Sequence, residues 1–313
     1  GDDVDIDRVR PDPAVLDDPG AVPLLLRFDW FVDGQRYQGY DELALRLPIY
    51  GEAGFNEAVG LDMVRAVGEP AQRWAYSSVR INGAPAALRL LVEVPTAAFA
   101  AREFGSQGVL YRATGDSVFD YLGDDPAAYE SSFEQISPAG PVDLSPVIDL
   151  VRWTSQASDA EFATGLADRV DVDSLAEYLA VHVAINNWDD MGGGGRNYYL
   201  WLDDESGRFT VVSWDVNLAF YRDLFRRREQ DEIDARPAPA PVVNSEGVLV
   251  VDLVPDVTAD PPSNNALKSR FLETPAFASL FEQALVRDCA TLIDAGAAAA
   301  SFQHAVRTVL ESG

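Results

Sequence analysis

The apolar positions alternate in the front of the chain and recur at helical spacing in the back. From Pro23 to Leu47, "PLLLRFDWFVDGQRYQGYDELALRL" reads as strands broken by a turn at "VDGQ". A helix is predicted over "NEAVGLDMVRAVG", where Val59, Met63 and Val67 recur every four residues and Gly68 can end it. "WAYSSVRIN" and "AALRLLVEVP" are β-type runs joined by "NGAP", a hairpin in outline. After about Tyr111 the acidic, turn-rich "GDSVFDYLGDDPAAYESSFEQIS" gives way, from Asp143, to helical patterns. "LSPVIDLVRWTSQ" has a Ser-Pro start, and "DVDSLAEYLAVHVAIN" sets Leu175, Leu179, His182, Val183 and Asn186 near one face, with Asp173 or Ser174 as its cap. A hairpin, a proline-rich link "ARPAPAPVV" and two helices from Ala266 complete the pattern. The order predicts an α+β fold: an extended lead-in over 1–22, a β-rich lobe over about 23–112, and a mainly helical lobe over about 113–313.

Composition narrows the partners. The 313 residues are 47% hydrophobic, enough for a folded core, and the formal net charge is -27. That charge argues against nucleic acid or an anionic membrane surface, and leaves a cationic protein, a metal, or simple solubility. No apolar run reaches the roughly 18 residues of a membrane span. Lys268 is the single lysine and Cys289 the single cysteine, which excludes an intrachain disulfide and a cysteine zinc site. His182 and His304 have no second histidine at ligand spacing and read as structural. The polar opening "GDDVDIDRVRPDP" leaves room for a removed signal peptide, and a monomer is expected.

The densest chemistry lies in "NNWDDMGGGGRNYYLW", Asn186 to Trp201. "RNYYLWL" and "RFTVVSWD" flank the turn "DDESG". With Leu202 across from Phe209, antiparallel pairing sets Asn197 opposite Trp214 and beside Asp215. Asp189, just past the preceding helix, reaches the same open end. Two carboxylates and an amide oxygen suit Mg²⁺ or Mn²⁺, and protein kinases place an Asp, an Asn and a second Asp around a hairpin in this manner. The alternative is an Asp-rich turn in which Asn197 caps a strand. The "GGGG" run lacks the strand-to-helix setting of a phosphate cradle and reads as a loop that admits substrate.

These blocks resemble the CotH family of atypical, kinase-like proteins. The family's N-x-D, N-Y-Y-L and W-D-x-D-x-A-F patterns stand here as "NWD" (Asn187 to Asp189), "NYYL" (Asn197 to Leu200) and "WDVNLAF" (Trp214 to Phe220). "RFDWFVDGQRYQGYDELAL", "INGAPAALRLLVE" and "GVLYRATGDSVFDYLGDDPAAYESSFE" look like its upstream blocks, so the likeness runs from about residue 23 to 285. The resemblance implies a two-lobed kinase-like fold in which Asp189 orients or deprotonates an acceptor hydroxyl, and Asn197 and Asp215 hold the metal on ATP.

Three departures accompany it. Asn217 replaces the second Asp of W-D-x-D, removing a charge while keeping an oxygen donor. The family's lysine-rich first lobe has Arg27 and Arg112 at its aligned basic positions, with Glu93 of "LLVE" expected to hold the phosphate-binding cation. Ala87 and Arg89 stand where Gly and Tyr are usual, and Asn56 where an Arg often begins the helix. The resemblance therefore implies a secreted or cell-envelope kinase moving phosphate from ATP to Ser or Thr of a protein substrate with Mg²⁺ or Mn²⁺. A pseudokinase or a surface or coat adhesion protein, and transfer of an AMP group on the same fold, are the alternatives.

Overall fold

The computed structural model describes residues 23–46, 54–81, 85–105, 107–114, 119–187, 189–193, 197–220, 242–243, 249–250 and 265–312. The lead-in over 1–22, Trp188, and all but the last two residues of the proline-rich link lie outside these.

The first sheet has the antiparallel order β1 (Leu24–Arg27), β2 (Glu42–Arg46), β4 (Ala87–Glu93), β3 (Trp74–Val79). Between β1 and β2 the expected strand run becomes a loop, with Gln35 N–H bonded to Val32 C=O in the anticipated turn. The crossover helix α1 (Phe55–Ala66) buries Ala58, Leu61, Met63 and Val64 against the sheet. Each of the larger of these side chains contributes about 1.5–3 kcal/mol by leaving water. Gly68, at φ 97°, ends α1 as read from the sequence: its N–H bonds Arg65 C=O and that of Glu69 bonds Val64 C=O, a Schellman pair.

The second sheet has the order β6 (Phe133–Ser137), β5 (Gly108–Ala113), β7 (Tyr198–Asp203), β8 (Phe209–Ser213). β5 thus joins the hairpin's sheet, whereas the sequence division counted it with the first lobe; its pairing with β7 is tertiary and has no local signal. β6 emerges from the stretch read only as acidic turns. The helices α3 (Ser145–Gln156), α4 (Asp159–Gly165) and α5 (Val172–Ala184) pack on this sheet's core. Asp171, rather than Asp173 or Ser174, caps α5, its carboxylate accepting from Ser174 N–H at 3.2 Å. The expected two C-terminal helices are three, α6 (Ala266–Glu273), α7 (Pro275–Cys289) and α8 (Ala297–Ser312), with a π-helical turn over Ala290–Asp294.

The lobes share apolar packing. α8 returns to the first lobe, where Asp62 accepts from Trp74 Nε1 at 2.8 Å and Ser301 Oγ at 2.7 Å. Val181 and Ile185 of α5, with Val216 and Ala219 after β8, complete the cluster under the first sheet. A Cβ on Gly60 would lie 3.1 Å from Val216 Cγ2, so α1 rests directly on the segment that follows Asp215.

Where the lobes meet, Ser174 Oγ donates to Glu69 at 2.9 Å. Burial pushes the Glu69 carboxyl up to about 8, the Ser174 bond opposing it and the Glu177 and Asp171 charges adding to it. Its folded pKa therefore lies above the ordinary 4.5, so the folded chain holds this proton more tightly than the unfolded chain. The stability this supplies is complete below 4.5 and is lost as pH rises through about 8. Thermal melts of wild type and Glu69→Gln between those limits should show a shallower decline for the variant; parallel curves would remove Glu69 from the pH response.

Candidate active site

The hairpin forms in the register expected. Leu202 pairs with Phe209, Tyr198 pairs with Ser213, and Trp214 N–H reaches Asn197 C=O at 3.3 Å. Asn197 Nδ2 donates to Asp189 Oδ2 at 2.8 Å, so strand β7 and the loop after α5 are joined at the open end. That bond leaves the Asn197 amide oxygen as the end available to a cation.

Beneath this junction lies a buried relay. Asn187 Nδ2 contacts His182 Nδ1 at 3.0 Å, and His182 Nε2 contacts Ser213 Oγ at 2.9 Å. Because an amide nitrogen donates only, Nδ1 is the acceptor, and Nε2–H is left to donate to Ser213. Burial lowers the His182 pKa, Asp190 opposing the shift and Lys268 reinforcing it, so the ring stays neutral. This fixes the end of α5, and with it the start of the Asp189 loop, to the strand that leads into Asp215. The structural reading of His182 therefore agrees with its surroundings.

Asp190 is buried and accepts from Gly193 N–H at 2.8 Å, closing the loop on itself. Lys268, also buried, comes from α6 and donates to Gly192 C=O at 3.2 Å. A Cβ at Gly192 would sit 2.5 Å from Lys268 Cδ, which gives this glycine a packing role. Gly194 and Gly195 of the same run lie outside the described residues.

Asp215 follows β8 with left-handed backbone, φ 52° and ψ 54°, a conformation costing a non-glycine residue about 1–3 kcal/mol. Its carboxylate faces Arg46, at the end of β2: Nη1 donates to Oδ2 at 3.2 Å and Nη2 lies 3.1 Å from Oδ1. Arg46 Nε is 3.1 Å from Glu57 on the first turn of α1, and its guanidinium lies 4.9 Å from the Trp214 ring centre. Asn56 Nδ2 donates to Ala219 C=O at 2.8 Å, tying the same turn of α1 to the Asp215 segment. Burial pushes Glu57 up to about 7, with Arg46 pulling it down and Asp215 pushing it further up. Burial alone would lower Arg46, but Glu57 and Asp215 outweigh it and hold its pKa above the ordinary value.

The cations and acid expected from the sequence are engaged elsewhere. Arg27 pairs with Glu42 at 2.8 Å on the edge of the first sheet. Arg112 is exposed and lies 3.9 Å from Glu134, although its charge also reaches Glu42. Glu93 is buried against Arg102 of α2 (Ala97–Glu103) and accepts from Arg73 N–H at 3.0 Å. Arg89, at the position where the family usually has Tyr, is buried. Sequence reasoning missed Arg46 and Glu57. Their signal is a base closing a strand and an acid opening the next helix, in "LALRLPIYGEAGFNEAV".

Among the described residues, no three His, Cys, Asp or Glu side chains gather as a metal-holding group. Of the expected oxygen donors, Asn197 stands at the hairpin end against Trp214, and Asp215 and Asn217 follow β8, Asn217 within the turn Val216–Leu218. They fit Mg²⁺ or Mn²⁺ in the usual manner of those ions, with one or two protein carboxylates and phosphate oxygens completing the shell.

Comparison with known proteins places these features in a family. The sequence matches CotH, described as CotH kinase protein, over residues 24–306, and the chain belongs to that family. It is 23% identical over 203 residues to the inner spore coat protein H of Bacillus subtilis (strain 168), covering 63% of this chain and 55% of that protein. The chain thus spans about half the length of this curated relative. Among solved structures it is similar to the Helicobacter pylori proinflammatory kinase CtkA, with a TM-score of 0.32 and 13% identity over 87% of this chain and 93% of that one.

The Arg46–Glu57 pair has a measurable consequence. Arg46→Leu leaves Glu57 buried without its cation and should cost about 3–5 kcal/mol in urea denaturation, while Arg46→Leu combined with Glu57→Leu should recover most of that loss. Equal losses in the single and double variants would show that the pair is not coupled.

Proposed function

We propose that this chain is an atypical protein kinase that transfers a phosphoryl group from ATP to a serine or threonine hydroxyl of a protein substrate. The observation that carries this reading is the end of the hairpin, where Trp214 N–H bonds Asn197 C=O: Asn197 there holds Asp189, and Asp215, the residue after Trp214, meets Arg46, which also faces Glu57. Phosphoryl transfer demands positioning and charge neutralisation more than covalent chemistry from the protein, and these groups are of the kinds it uses. Asp189 is assigned to the acceptor hydroxyl, which it orients and whose proton it takes. Arg46, held by Glu57, is assigned to the nucleotide phosphates, in place of the Arg27, Arg112 and Glu93 set expected from the sequence. Asp215, Asn197 and Asn217 would hold Mg²⁺ or Mn²⁺, which neutralises phosphate charge when bound. The spore coat protein among the relatives supports an acceptor in a coat or envelope, reached by secretion or at the cell surface. Among the described residues, no helix is long and apolar enough to cross a membrane.

A second reading is favoured by one feature: both Asp215 oxygens already face a guanidinium. In that reading the chain is a pseudokinase or an adhesion protein of a coat. Incubation with γ-labelled ATP, Mn²⁺ and a general protein acceptor separates the two. Label should reach protein hydroxyls, and Asp189→Asn and Asp215→Asn should each cut the rate by about a hundredfold or more while remaining folded by circular dichroism. Absence of label and of ATP binding by calorimetry would favour the non-catalytic reading, and label from the α-position would indicate nucleotidyl transfer.

A further inference from the structure

Asp215 combines two properties that bear on how a metal reaches it. Both of its oxygens lie within 3.2 Å of Arg46, so the carboxylate already has a fixed counter-ion. It also stands apart from any metal-holding group of three acidic, histidine or cysteine side chains among the described residues. A bare divalent ion would have to displace the guanidinium and give up bound water in exchange for one carboxylate, a poor return for a cation that dehydrates reluctantly. A nucleotide alters both terms. Its phosphates offer Arg46 a bidentate acceptor matched to the guanidinium fork, and they supply the missing oxygens to the metal.

The contacts of Arg46 suit such a handover. The Nη1 bond to Asp215 is an aligned hydrogen bond, whereas Nε to Glu57 and Nη2 to Asp215 are ion pairs without hydrogen-bond alignment. The Arg46 side chain keeps 17% of its surface exposed and Asp215 keeps 23%, while Arg46 Nε and Nη2 and Asp215 Oδ1 are themselves buried. Glu57, at 4% exposure, anchors the guanidinium from the opposite side.

We infer that Arg46 is a displaceable counter-ion for Asp215, so that a divalent cation occupies Asp215 only together with the nucleotide phosphates that draw the guanidinium away. The nucleotide half of this inference rests on the phosphotransferase reading; the counter-ion half does not.

The test is a titration of Mn²⁺ into the full chain, with free Mn²⁺ followed by electron paramagnetic resonance. It is run with and without the β,γ-imido analogue of ATP, against a blank of the analogue alone. Asp215→Asn, treated identically, subtracts ions held elsewhere on the acidic surface. Arg46→Met is paired with Glu57→Gln so that no buried charge is stranded. Wild type should gain about tenfold or more in Mn²⁺ affinity with the analogue, and the double variant should bind the bare ion more tightly than wild type does. The inference is overturned if wild type binds Mn²⁺ at Asp215 equally well with and without the analogue, or if the folded double variant binds the bare ion no better than wild type. Should the double variant fail to fold by circular dichroism, the wild-type comparison decides alone. Nucleotide-dependent Mn²⁺ binding without a gain in the double variant would overturn the counter-ion role and leave the kinase reading standing. No analogue binding at all, with the gain in bare Mn²⁺ retained, would overturn the kinase reading and the coupling while leaving Arg46 as a fixed counter-ion.

Discussion

Glu57 is almost fully buried at the start of α1, and a carboxylate in that position requires a cation beside it or a proton on it. Arg46 is that cation, and because the same guanidinium also reaches Asp215, the solvation of an acid in the first lobe depends on the position of an acid in the second. Apolar packing alone would permit α1 to slide against the segment after β8. The bridge selects one arrangement, reinforced by Asn56 on Ala219 and by the close approach of Gly60 to Val216. Raised pKa at Glu57 and Glu69 follows from the same geometry, since both acids lie where the lobes close over them.

The second sheet supplies the other constraint. Its central strand β7 carries Asn197 at one end, and its edge strand β8 delivers Asp215 beside it. The Asn187–His182–Ser213 relay then couples α5, the Asp189 loop and β8 through hydrogen bonds with no water between them. A neutral histidine does this better than a charged one, because its ring must accept from an amide on one side while donating to a hydroxyl on the other. Asp189 is tied to the end of the hairpin by its own bond from Asn197, and the relay holds Asn187 two residues before it.

The hairpin was legible because its signals are local: alternating residues, a turn at "DDESG" and an unambiguous register. The α+β order, and α1 with its glycine stop, were legible for the same reason. The Arg46–Glu57 bridge was not, because a strand base and a helix acid eleven positions apart give no periodic mark, and only packing shows that they meet. Glu93 attracted attention as an acid ending a strand; the cation that takes it is Arg102, nine positions later on α2, a nearer solution than any arginine of β1 or β5. β5 could be read as a strand from its residues, but the sheet it joins is decided by β7, far along the chain.

The chain's use of cations follows from shape. Of 24 basic residues a single one is lysine, and it is the one that enters under the Asp189 loop. Gly192 offers Lys268 one carbonyl and a gap left by the missing Cβ, a space for a narrow stem ending in a compact charge. A guanidinium is broader and more rigid than the stem and ammonium that occupy this gap. At Asp215 the demand is reversed: two carboxylates approach from different lobes, and the donors of a planar fork are spread widely enough for Nε to face Glu57 while both Nη atoms face Asp215. Arginine at the bridge and lysine beneath the loop are therefore not exchangeable, although each adds the same charge to a strongly acidic protein.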